Sequence, residues 1–222
     1  MDIEQNIQRI KNELPEHVEL EAAAKTRSAD EVRAAINAGI RVFGYNYVQE
    51  AESIKAEIQT DVIVKCHMIG HLQKNKVKQA VELFDMIETV DSKALAERIN
   101  RVCEQQQKIM PVLIEVNSGR EENKDGVYPE NVESLIRSIN MLPHIRIQGL
   151  MTMGPWLDDP EELRPYFKLT REIFDHLAAL NLPNVAMRYL SMGMSDSYRI
   201  AIEEGANIVR LGTILFGPRS YS

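Results

Sequence analysis

Lys25 is the first residue whose type and position suggest chemistry. It closes the run Ala22-Ala23-Ala24-Lys25-Thr26, so its ammonium is expected at the end of an apolar strand, inside whatever mouth that strand helps to form. A lysine held among apolar groups gives up its proton more readily, and the free amine can attack a carbonyl to form a Schiff base. A rim lysine paired with a carboxylate is the other reading. Much later, Ser191-Met192-Gly193-Met194-Ser195-Asp196 places small residues and hydroxyls ahead of a helical stretch. Free amides at a helix start hold phosphate, although a capped turn with Ser195 as N-cap fits the same residues. Arg210-Leu211-Gly212-Thr213 again sets a glycine, which permits close backbone approach, beside a hydroxyl. Arg210 interrupts an apolar run and cannot shed its charge, so it needs a structural carboxylate or a ligand acceptor. His67-Met68-Ile69-Gly70-His71 would put both histidines on one face of a strand, but Gly70 breaks the run. Without a further ligand cluster beyond Cys66, zinc is not expected there.

These residues must be positioned by an alternation of short apolar runs and longer amphipathic segments. Strands are predicted over 18–25, 41–46, 61–70, 86–91, 110–117, 145–154, 188–193 and 208–217. Helices are predicted between them, over 28–39, 47–58, 74–84, 92–107, 129–141, 160–180 and 195–205. The first is framed by a Ser28/Glu31 capping box and the stop residue Gly39. In the fourth, Leu95, Ile99, Val102 and Cys103 share one face, which makes Cys103 a core filler. No eighth helix is expected; residues 2–13, with Ile3, Ile7 and Ile10 on one face, would cover the bare wall instead. Eight βα units predict a single-domain (β/α)8 TIM barrel over residues 1–222 with an extra N-terminal helix. A doubly wound open sheet is the alternative, but where it would carry a glycine-rich loop this chain has Lys25-Thr26-Arg27. In the barrel, the residues singled out above gather at the carboxyl ends of the strands, where such folds keep their sites.

The composition narrows the ligand. Among 222 residues, 26 basic against 33 acidic side chains leave a net charge of −7, which argues against a nucleic acid or an anionic membrane as partner. An anionic ligand must be met by a local cluster, and Lys25 with Arg210 supplies one. Two distant cysteines exclude a disulfide framework, the charged start is unlike a secretory signal, and no run is long enough to span a membrane. A cytoplasmic protein is expected.

Taken together, Ala23-Ala24-Lys25-Thr26, Phe43-Gly44-Tyr45-Asn46-Tyr47-Val48-Gln49-Glu50, the run from His67 to Lys76, Ser191 to Asp196, and Val209 to Thr213 resemble the pyridoxal phosphate homeostasis protein family. These proteins are single-domain relatives of the barrel of bacterial alanine racemase. The resemblance runs from Lys25 to Gly217 and implies a fold-type III barrel holding pyridoxal 5'-phosphate as a Schiff base on Lys25. It further implies Asn46 near the ring, Arg210 facing the pyridine nitrogen, and the phosphate held by Ser191, Gly193, Ser195, Gly212 and Thr213. Lys124 and His71 are accessory positions, Lys124 matching a loop lysine linked to cofactor release. The family usually has glutamate in place of Tyr45 and tryptophan in place of Cys66.

An arginine donor favours an unprotonated pyridine ring, which is a poor electron sink. Alanine racemase works with arginine but adds a carboxy-terminal domain carrying a second acid/base tyrosine, whereas this sequence stops five residues after Gly217. The expectation is therefore a carrier or buffer of pyridoxal phosphate without turnover of its own. Its partners would be apo-enzymes that use the cofactor, and it would be a monomer or weak dimer. A weak amino-acid racemase using the same lysine is the alternative, and a Schiff-base aldolase acting on a sugar phosphate is a third reading.

Overall fold

A computed structural model describes residues 2–58 and 60–218. In chain order the elements are α1 (Ile3–Glu13), β1 (Glu19–Ala23), α2 (Ala29–Asn37), β2 (Val42–Tyr45), α3 (Val48–Glu57), β3 (Lys65–Met68), α4 (Val77–Leu83), β4 (Met86–Val90), α5 (Lys93–Gln105), β5 (Met110–Glu115), α6 (Val132–Ile139), β6 (Ile145–Met151), α7 (Arg164–Ala179), β7 (Val185–Ser191), α8 (Tyr198–Glu203), β8 (Ile208–Leu211) and α9 (Thr213–Phe216). The strands pair in sequence order and β1 also pairs with β8, all in parallel, so the sheet closes on itself. This is the (β/α)8 barrel expected from the sequence, and closure removes the open-sheet alternative.

Local chemistry starts α2 and α5 where the sequence said it would. Ser28 accepts the Glu31 amide while Glu31 accepts the Ser28 amide, satisfying two of the free donors at the α2 start. Ser92 Oγ accepts the Leu95 amide at the start of α5, and Leu95, Ile99, Val102 and Cys103 are buried along that helix. Burial pushes the Cys103 thiol up to about 11, consistent with a packing role.

Helix α1 packs against α2 and α9 through the fully buried Ile7 and Ile10. Asn6 Nδ2 donates to the Leu215 carbonyl at 3.1 Å, and Glu13 accepts from Tyr198 and Arg199 at 2.8 Å each. The final segment corrects one expectation: β8 ends at Leu211 and a one-turn helix follows. Gly212 is the cause, since its carbonyl accepts the amides of Leu215 and Phe216 and folds the chain into α9 instead of continuing the strand.

Inside the barrel, Met86, Leu113, Met151 and Ile208 form an apolar plug with Tyr189 against it. Two residues further along their strands stand Glu88, Ser191 and Arg210, so strand alternation sets a polar layer directly above the plug.

Candidate functional site

The strand ends enclose a cavity of about 490 Å³, within the range of small-ligand sites, whose lining includes Lys25, Asn46, His71, Lys124, Met194 and Arg210. Five of the residues selected from the sequence thus meet at one mouth. Lys25 is placed differently from the expectation. Strand β1 stops at Ala23, so Lys25 stands on the turn above it, half-buried, with Nζ 5.6 Å from the centre of the Tyr47 ring. Thr26 then adopts a left-handed φ of 61°, and its amide donates to Glu50 Oε1 at 3.3 Å, which fixes the turn that carries the lysine.

Arg210 forms the floor. It is 3% exposed and donates to Ser191 Oγ, to the Thr152 carbonyl at 2.8 Å and to Met153 Sδ at 3.5 Å. Thr152 is itself held, donating from Oγ1 to the Val116 carbonyl at 2.8 Å, so the guanidinium is fixed by a second layer of contacts. Ser191 is fully buried and sits beneath the loop residues that follow it.

The loops after β7 and β8 are stitched together. Ser195 Oγ accepts the amides of Gly212 and Ile214, each at 3.3 Å, and Gly193 accepts the Arg210 amide at 3.0 Å. Ser195 is therefore not an N-cap: α8 begins three residues later, and Ser197 Oγ accepts the Met194 amide. Gly193 has φ of 90°, and a Cβ there would collide with Ala201 and Tyr198, so the tight wrap requires glycine. Gly212 packs against Ala23 on the cavity wall, and Thr213 is exposed at the start of α9.

On the opposite side, Asn117 ties down the polar loop 118–126. Its Nδ2 donates to the carbonyls of Glu121 and Lys124 at 2.8 and 3.2 Å. Lys124 Nζ reaches Glu121 Oε2 at 2.6 Å and donates to the Gly154 carbonyl at 3.3 Å. His71 Nδ1 lies 3.0 Å from Asp125 Oδ1. His67 faces the other way, into the barrel, so the two histidines do not converge.

Below the mouth lies a group of which only His67 and Arg210 stand out in the sequence. Glu21, His67 and Glu88 are buried with Arg210, on β1, β3, β4 and β8, and register sets Glu21 directly beside Arg210. His67 Nδ1 is 2.9 Å from Glu88 Oε1 and 3.7 Å from Glu21 Oε2, a hydrogen-bonded pair and a purely electrostatic contact respectively. Burial alone would pull His67 down, but Glu21 and Glu88 outweigh it and push the imidazole up to about 10. Burial opposes charge on Glu88 too, yet His67, Arg210 and Ser191 hold its carboxyl below the usual range. Glu21 ends differently: burial, then Glu88, push it up to about 7 against the pull of His67 and Arg210. Neither of its oxygens has a hydrogen-bond partner. Glu115, on the cavity wall, is likewise pushed up to about 7 by burial and by Asp125 and Asp91.

Known proteins share this fold. A family described as "Alanine racemase, N-terminal domain" matches residues 1–220, which defines the class as the racemase-type parallel barrel. The chain belongs, within that class, to the pyridoxal phosphate homeostasis protein family. A member from Aquifex aeolicus is 45% identical over 199 residues, covering 90% of this chain and 86% of that relative. Among solved structures, PipY of Synechococcus elongatus PCC7942 without PLP superposes with a TM-score of 0.92 at 35% identity, covering 97% of this chain and 100% of that one. The same protein with PLP bound gives 0.89 at 33% identity, with the same coverage. Among the described residues no helix is long and apolar enough to cross a membrane.

Proposed function

We propose that this chain binds pyridoxal 5'-phosphate and carries or buffers it in vitamin B6 homeostasis, with residues 1–222 acting as one cofactor-binding unit. The observation that carries this reading is the pairing of an amine and a locked guanidinium, Lys25 and Arg210, in one cavity of suitable size. When bound, the cofactor supplies an aldehyde that condenses with a lysine amine. Lys25 offers that amine from its turn beside Asn46. Arg210, unable to accept a hydrogen bond, presents donors only, and Ser191 with Thr152 keeps it from swinging away. The amides of Gly212 and Ile214, now answered by Ser195 Oγ at long distance, are the donors for the phosphate, with the wrap at Gly193 and the Thr213 hydroxyl beside them.

Lys124, which lines the mouth and donates to the Gly154 carbonyl of the neighbouring loop, meets the cofactor as it enters or leaves. The protein works in the cytoplasm, where its two free cysteines stay reduced, as a monomer or weak dimer that hands cofactor to apo-enzymes. Purified protein incubated with pyridoxal 5'-phosphate should show a visible band that borohydride removes, leaving a pyridoxyl adduct on the Lys25 peptide by mass spectrometry. Lys25→Ala should abolish both. No adduct on Lys25 in the wild-type protein would defeat this reading.

A further inference from the structure

Glu21 is a buried carboxylate with no hydrogen-bond partner on either oxygen, and the fold makes deliberate room for it. Gly44, two residues beyond Glu21's register partner Val42 on the adjacent β2, has no side chain, and a Cβ there would collide with Glu21 Oε1 and with Ile69. An uncompensated buried carboxylate is costly, and protonation is its ordinary escape. The charged groups facing it are Arg210 from β8, His67 from β3 and Glu88 from β4, with Glu115 from β5 acting on the same guanidinium. With Glu21 ionised the four-membered cluster contains two anions and two cations and is neutral. With Glu21 protonated it carries one net positive charge.

We propose that Glu21 is a positioning residue whose proton sets the electrostatic field that Arg210 presents to the floor of the cofactor cavity. The inference rests on the cofactor reading above. Arg210 cannot change its own charge, so any adjustment of that field must come from a neighbour. Glu21 is suited because His67 and Glu88 neutralise one another as a hydrogen-bonded pair, leaving Glu21 as the opposing charge to the guanidinium. A cofactor seated on Arg210 would then experience two floors, one neutral and one cationic, over a range of pH near neutrality. A divalent metal is the competing occupant of Glu21, His67 and Glu88, whose ligand atoms cluster closely enough to hold one. The proton fits better, because a metal would require His67 to give up the proton that Glu21 and Glu88 hold on it.

Two measurements on the whole protein test this. Carbon-13 NMR of glutamate carboxyls in the cofactor-free wild type, assigned by loss of one resonance in Glu21→Gln, should show a carboxyl titrating between about pH 6 and 8. The visible band of the loaded wild type should then shift through a step in the same interval. Glu21→Gln should remove that step and hold the band in its low-pH form, and Glu21→Asp should restore a step at a displaced pH. A band that stays fixed while the carboxyl titrates would overturn the inference alone. So would a Glu21 carboxyl that stays ionised down to pH 5, or one equivalent of divalent metal found by elemental analysis of the purified protein. No visible band at any pH, with no borohydride adduct on Lys25, would overturn the cofactor reading and this inference with it.

Discussion

Replacing Glu21 by glutamine isolates one titration from the rest of the molecule. In the unfolded chain the carboxyl has its ordinary value of 4.5, and in the barrel it is pushed up to about 7. The folded state therefore binds the extra proton between those values. Its contribution is fully present below the unfolded value and disappears as pH rises through the folded one. At about 1.4 kcal/mol per unit, this shift corresponds to about 3 kcal/mol in full, most of which falls between about pH 5 and 8.5. The side chain is fully buried, so solvent does not screen the effect. Glutamine keeps the shape and does not titrate. His67 is pushed up to about 10 in the wild type, above this range, and its hydrogen-bonded partner Glu88 is untouched by the substitution. Urea unfolding of cofactor-free wild type and Glu21→Gln at several pH values should therefore give a stability difference that moves by this amount against the wild type as pH rises. A difference that is flat with pH would refute the claim that Glu21 holds a proton in the fold.

Arg210→Ala should destabilise the protein by about 3–5 kcal/mol in the same assay, because Glu21 would lose the cation opposing it and the buried Ser191 hydroxyl and Thr152 carbonyl would lose their donor; Arg210→Lys should rescue only part of it, lacking the fork that reaches both Ser191 and Thr152. Ile10→Ala, which empties a fully buried position between α1 and the barrel, should cost about 2–5 kcal/mol by urea denaturation while leaving the visible cofactor band unchanged in position. Gly149→Ala should leave little soluble protein on expression, since φ there is 151° and a Cβ would strike the Tyr189 backbone where the β6 ladder shifts register.

Much of the fold was legible because its signals are local. Ser28 with Glu31 and the apolar face from Leu95 to Cys103 depend only on near neighbours, and both carry through unchanged. The ends of elements were less legible. Pro160 opens a 3₁₀ turn rather than α7 itself, and Ser195 is drawn off to the amides of Gly212 and Ile214, contacts made across sequence that no local rule contains. The mouth was readable from Lys25, Arg210 and the small-residue loops because these types are conspicuous in apolar surroundings. Glu21 and Glu88 were not. Alternation tells which residues share a face, but a closed barrel hides one face of each strand inside, and a glutamate there has the same local pattern as one in water. A charged residue standing two positions from the apolar Met86 or Ile208 on a closed strand was the available signal.

The junction of α1 with α9 has a temporal meaning. Asn6 and Leu215 are 209 positions apart, and β1 must find β8 before their bond can form. Lys25 stands on the turn that follows β1 and Arg210 on β8 itself, so the amine and the guanidinium come together only when the ring of strands is complete. A chain still missing its last strand has half a binding site. Capture of the ligand should therefore mark the end of folding rather than guide its early stages, and the coloured protein would serve as its own record of finished assembly.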